Sequence, residues 1–170
     1  MKNPVIIWGG ADIDPSLYGE QRNGCGWTNI RSDQHELDKI DNAIKEGRPI
    51  IGICRGLQIL TVHQGGKLIQ HITPQGGTKF ITDTITKEHI PIVKAHHQVC
   101  IPNKQVKHHI LAESFIPEDN ITIPEIIYYP EINAIGFQGH PEWSDDKQTK
   151  EYIFNTIKKY LNIDMNSWRE

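Results

Sequence analysis

The run Ile50-Ile51-Gly52-Ile53-Cys54-Arg55-Gly56-Leu57-Gln58 limits what this chain can fold into more than any other stretch. Pro49 to Ile53 is continuously apolar, the pattern of a strand covered on both faces, as parallel strands between helices are. Gly56 to Gln64 continues as a short helix that stops at Gly65-Gly66. Between them, Cys54 has a glycine two residues away on each side, the spacing of a nucleophile elbow. Such a turn packs backbone tightly, so its neighbours must be small, and it lifts the central side chain off the end of the sheet.

The flanking pattern agrees with an alternating α/β chain. Val5-Ile6-Ile7-Trp8 reads as a buried strand that leaves the sheet at Gly9-Gly10. A loop rich in turn residues follows, from Ala11 to about Ile30. Asp33 and Glu36 form a capping-box pair, and Leu37, Ile40, Ala43 and Ile44 continue at helical spacing, which predicts a helix from Asp33 to Glu46. From Lys67 to Phe137 the chain reads as short β pieces (Leu68 to Ile72, Lys79 to Thr86, Gln105 to Ala112, Ile121 to Tyr129) separated by prolines. These predict hairpins or edge strands, with Ile132 to Phe137 returning to the main sheet. Tyr152, Ile153, Ile157, Tyr160 and Leu161 share one face of a closing helix from about Asp145 to Leu161. The expected architecture is a single domain over residues 1–170: a flavodoxin-like three-layer α/β sandwich with a mostly parallel central sheet and added short antiparallel strands.

Composition excludes several classes. The 18 Lys plus Arg against 21 Asp plus Glu leave no basic field for a phosphate backbone, so no nucleic-acid partner is expected. No apolar run approaches the roughly 20 residues that cross a bilayer, and Met1-Lys2-Asn3-Pro4 begins no signal sequence, so a cytoplasmic location is expected. Cys25, Cys54 and Cys100 are odd in number and lack paired spacing, which argues against a disulfide framework and a cysteine zinc site. Adjacent histidines on extended chain, as in His96-His97 and His108-His109, point to opposite faces. Neither a metal nor a cofactor is expected.

A cysteine after an apolar strand is ordinarily a small buried hydrophobe. The glycine-flanked turn changes that reading: it places the thiol at the positive N-terminus of the next helix, which favours thiolate, and the Arg55 N–H can help bind an oxyanion. Further on, His140 and Glu142 lie two residues apart around Pro141. On an extended segment they point the same way, so Glu142 can hold the imidazole while His140 faces Cys54. Read by itself, that pair is an ordinary surface His-x-Glu.

Taken together, Gly52-Ile53-Cys54-Arg55-Gly56-Leu57-Gln58 and Gly139-His140-Pro141-Glu142-Trp143 resemble the class I glutamine amidotransferase superfamily, in particular its gamma-glutamyl hydrolase branch. Further stretches carry the likeness: Gly9-Gly10-Ala11-Asp12-Ile13-Asp14-Pro15, Leu17-Tyr18-Gly19-Glu20, Asp33-x-x-Glu36, Ala95-His96-His97-Gln98 and Gly136-Phe137-Gln138. The resemblance implies a Cys54, His140, Glu142 triad, an oxyanion hole from the Gly10 and Arg55 amides, and Gln58, Gln138 and His97 beside a glutamyl substrate. It implies hydrolysis of a γ-glutamyl amide through a glutamyl thioester, releasing glutamate and an amine or amidate. Two alternatives stand beside it: the glutaminase component of an amidotransferase, passing ammonia from glutamine to a partner synthetase, and a catalytically idle binding module.

Three departures from the family pattern shape the expectations. Met1 lies almost directly before the glycine-rich strand, so the sheet is expected to lack a piece at its N-terminal side: either the fold is naturally trimmed, or a partner such as a synthetase or a second copy covers the exposed edge. Gly139 stands where a bulky aromatic is common, which would widen a pocket beside His140. Ser32 stands where an arginine is common, with Arg31 near enough to substitute.

Overall fold

The computed structural model describes residues 2–168. In chain order it contains β1 (Val5–Ile7), α1 (Ile30–Lys45), β2 (Ile50–Ile53), α2 (Arg55–His63), β3 (Lys67–Ile69), β4 (Gln75–Asp83), β5 (His89–His96), β6 (Val99–Ile101), β7 (His109–Ile116), β8 (Ile121–Tyr129), β9 (Ala134–Phe137) and α3 (Lys147–Leu161). Seven strands form one sheet in the order β1-β2-β9-β8-β7-β4-β5, and β3 pairs with β6 separately.

The α/β class and the layering follow the expectation. Strand residues alternate between two cores: Val5, Ile7 and Ile50 face α1 and α2 together with Ile40, Leu57 and Leu60, whereas Ile6, Ile51 and Ile53 face α3 together with Ile153 and Ile157. Helices therefore cover both faces, which is why β2 and β9 are apolar along their whole length.

The expected parallel majority is not found. Only β1 with β2 and β2 with β9 are parallel, while the pairings of β9 with β8, β8 with β7, β7 with β4 and β4 with β5 are antiparallel. The cause is connection length: β4 to β5, β7 to β8 and β8 to β9 are joined by turns too short for the crossover that a parallel pair needs. Apart from Leu68 to Ile72, which pairs with β6 in the separate ribbon, the expected β pieces thus extend the main sheet. Strand β5 falls where the sequence reading placed no strand, because Pro91 reads as a break. It lies at the sheet edge, where a missing N–H is tolerated.

Helix α1 begins earlier than the capping-box reading predicts. Asn29 is the cap, its side chain accepting from the N–H groups of Arg31 and Ser32 at 3.2 Å each. Asp33, freed from that duty, is buried and pairs with Arg55.

Candidate active site

Helix α2 can reach its position only because its neighbours lack side chains. A Cβ on Gly56 would lie 2.0 Å from the Ile7 carbonyl oxygen, and one on Gly52 would lie 2.6 Å from the Gly56 carbonyl. A Cβ on Gly136 would meet Leu57 Cδ1 at 2.5 Å. The helix start is thereby pressed onto β1, β2 and β9, and the residue between strand and helix must turn sharply. That residue is Cys54, with φ 52° and ψ −106°, a backbone conformation that L side chains rarely adopt. Its N–H donates to the Phe137 carbonyl at 2.7 Å, which ties the turn to β9.

The continuation of β9 delivers the base. His140 donates its backbone N–H to the Val93 carbonyl at 2.8 Å, and its Nδ1 lies 2.6 Å from Glu142 Oε1. Glu142 stands in a short 3-10 turn, Pro141–Trp143, not on the extended segment that the sequence reading assumed. The pairing survives because that turn also brings the carboxylate back to the imidazole. Trp143 stacks on the His140 ring, with centroids 3.6 Å apart and planes 3° from parallel. Carboxylate and indole together fix the ring orientation and make Nδ1–H the hydrogen-bonded tautomer.

Cys54 and His140 meet at Gly9. A Cβ there would lie 3.1 Å from His140 Cε1, 3.9 Å from its Nε2 and 3.7 Å from Cys54 Cβ, so both side chains border Gly9 and a side chain in its place would crowd them. Among the described residues no hydrogen bond joins Cys54 Sγ to His140. The sulfur instead lies 3.9 Å from the Ala95 carbonyl and 3.8 Å from Gln138 Nε2. Burial pushes the thiol up to about 12, against the pull of the Arg55 N–H, with the Glu142 and Asp12 carboxylates adding to the rise. The expected thiolate preference at the helix N-terminus is therefore outweighed by desolvation in the ligand-free protein.

The remaining candidates fall into two groups. Gly10 and Arg55 are adjacent: a Cβ on Gly10 would lie 3.2 Å from Arg55 Cδ, and the Arg55 guanidinium is held beneath the loop by Asp33. Asp33 also accepts from the Asp14 N–H at 2.9 Å, so the ion pair anchors the glycine loop to α1. Gln58 and Gln138 are linked at 3.4 Å and are buried behind the thiol. His97 lies apart from them, its Nε2 2.8 Å from Asp12 and its Nδ1 3.1 Å from His71.

Two sequence expectations change on contact with the structure. Gly139 does not widen a pocket: a Cβ there would meet Ile92 Cδ1 at 2.8 Å and the Val93 carbonyl at 3.0 Å, so β5 occupies the space. His96, expected in a loop, closes β5 and is buried, with its Nδ1 3.0 Å from the Gln98 carbonyl and its Nε2 without a partner among the described residues. The Ala95 carbonyl and the buried Lys94 of the same strand were missed altogether. Only the alternation of Ile90, Ile92 and Lys94 with exposed or half-buried neighbours could have signalled them. Among the described residues no group of three or more His, Cys, Asp or Glu is arranged to hold a metal, and no helix is long and apolar enough to cross a membrane.

The Peptidase C26 family model matches residues 2–124, a span that holds Cys54 and ends before His140. The chain belongs to the Peptidase C26 family. It is 38% identical over 94 residues to the glutamine amidotransferase-like protein YvdE of Lactococcus lactis subsp. lactis, covering 55% of this chain and 39% of YvdE. With the YvdE homolog of Lactococcus lactis subsp. cremoris it shares 34% over 121 residues, 68% of this chain and 56% of that protein. The chain thus spans about half or less of these relatives. The carbamoyl phosphate synthase small chain of Helicobacter acinonychis is 26% identical over 128 residues, 75% of this chain and 33% of that one. In fold the chain is similar to a GMP synthase-type protein from Thermoplasma acidophilum, with a TM-score of 0.64 at 19% identity over 94% of this chain and 73% of that one.

Proposed function

We propose that this C26 family member is a cysteine-dependent hydrolase of γ-glutamyl amide bonds. The observation that carries the reading is the strained Cys54 elbow at the end of β2, beside a His140 imidazole that Glu142 and Trp143 hold in one orientation. His140 Nε2 takes the thiol proton as the sulfur attacks the γ-carbonyl carbon. The resulting oxyanion accepts from the Gly10 and Arg55 N–H groups. The C–N bond then breaks, His140 returns the proton to the departing nitrogen, and a glutamyl thioester remains on Cys54. Water, deprotonated by the same imidazole, cleaves the thioester and releases glutamate. Gln138, 3.8 Å from the sulfur, and Gln58, linked to Gln138 at 3.4 Å, frame the glutamyl group at the thiol.

A second reading is favoured by one specific observation. The Cys54 thiol is buried and, among the described residues, makes no hydrogen bond to His140. A glutaminase component that is armed only by its synthetase would look the same at rest, and the similarity to a carbamoyl phosphate synthase small chain accords with that role.

Turnover of a panel of γ-glutamyl conjugates, glutamine included, by the unaltered chain and by Cys54→Ala separates these readings. Cleavage of γ-glutamyl amines without a partner, lost in Cys54→Ala, is the expected result. Poor turnover of glutamine until a synthetase is added supports the second reading. Failure of a glutamine-mimicking electrophile to label Cys54 in the folded protein alone counts against the first reading, and failure with a synthetase present as well sinks both.

A further inference from the structure

Gly9 and Gly10 line a cleft of about 260 Å³ together with Trp8, Trp27, Glu36 of α1 and the Arg55–Asp33 pair. Trp27 is 73% exposed, and Trp8, 38% exposed, packs edge-on against Trp168 with ring centroids 6.5 Å apart. Among the charged groups lining the cleft, Arg55 and Asp33 neutralise each other. Glu36 is left over: its Oε2 is buried, and it has no hydrogen-bond partner among the described residues. A buried carboxylate oxygen with no donor is costly and asks for a cation or a donor from outside.

We propose that this cleft is the leaving-group subsite and that it selects γ-glutamyl conjugates of cationic amines. The inference rests on the hydrolase reading for its link to catalysis. The direction follows from the proton route. The departing nitrogen must lie within reach of His140 Nε2, and His140 faces the Gly9 backbone, with Cε1 3.1 Å from a Cβ placed there. Gly9 and Gly10 also line the cleft, so a group attached to that nitrogen passes along the two glycines into the space that Trp8 and Trp27 border. Two indole faces and one unpaired carboxylate suit an alkylammonium: the rings attract the cation and cover its methylenes, and Glu36 accepts from its N–H groups. A carboxylate in the same place would meet Glu36 as a like charge. Only glycine permits this passage, since a side chain at Gly9 would press on His140.

The test uses three γ-glutamyl amides whose nitrogen carries an aminobutyl, a butyl or a carboxypropyl group. Binding to Cys54→Ala protein is measured by calorimetry, and cleavage is measured with the unaltered chain. The aminobutyl amide should bind best and be cleaved with the highest kcat/KM. Its advantage over the butyl amide should fall by about tenfold or more in Glu36→Gln, and fall again in Trp27→Ala, an exposed position where loss of folding is not expected. Equal binding of all three amides, preference for the carboxypropyl amide, or an advantage that survives Glu36→Gln overturns the subsite. Selective binding without any cleavage upholds the subsite and rejects the hydrolase reading, and cleavage without selectivity does the reverse. Absence of both binding and cleavage overturns the two together.

Discussion

At Cys54 a strained backbone and a desolvated thiol fall on the same residue. The φ of 52° places the sulfur over the start of α2, and burial raises its proton affinity from an ordinary 9.0 to about 12. In the ligand-free protein, iodoacetamide should therefore modify Cys54 at a rate that keeps rising above pH 9, with no plateau near neutrality. A neutral plateau would mean that His140 already holds the proton at rest. The same shift contributes stability below the ordinary thiol value, and this is lost as pH rises through the folded one. His96 shifts the opposite way, from 6.5 to about 4, chiefly through burial, with Lys94, His140 and His97 adding repulsion. An unfolded chain takes up that proton first as pH falls, so stability is lost between the two values. Between neutral pH and about pH 5, His96→Gln should lose about 2 kcal/mol less stability than the unaltered chain in urea melts. Equal losses would refute the assignment.

At the scale of elements, three glycines seat α2 against the sheet, and only close backbone approach explains them. Gly56→Ala puts a methyl carbon 2.0 Å from the Ile7 carbonyl oxygen, with backbone on both sides of the contact. Its urea midpoint should fall by the equivalent of roughly 3 kcal/mol or more, or folding should fail. Gly76→Ala, in β4 with nothing within 4 Å, serves as the control and should change stability by less than about 1 kcal/mol. The elbow was legible from its glycines because that demand is local. The start of α1 was not: Asp33 and Glu36 satisfy the capping-box pattern, but Asn29 caps the helix and Asp33 is claimed by Arg55, 22 positions away in the sequence. Local propensity cannot register a partner that distant.

Over the whole molecule, the antiparallel half of the sheet is joined through a buried polar cluster. Lys94 of β5 pairs with Glu125 of β8 and donates to Ser114 Oγ of β7 at 3.0 Å, while Glu125 Oε2 has no partner among the described residues. Removing one charge strands the other in a dry interior. Lys94→Met should therefore cost about 3–5 kcal/mol, and Lys94→Met with Glu125→Leu should recover most of it in a double-mutant cycle read by chemical denaturation. Additive losses would show that the pair is not coupled. The sequence by itself determined the strand–elbow–helix unit, the two-faced burial of β2 and β9, and the residue types of the proposed triad. Each of these is written in periodicity or in glycine spacing within a few residues. Only the tertiary structure decided that antiparallel pairs outnumber parallel ones, that Gly139 is filled by β5, that Gln58 and Gln138 stand behind the sulfur, and that desolvation outweighs the helix terminus at Cys54. Those outcomes depend on which distant segments exclude water and space from one another, and no local pattern encodes that.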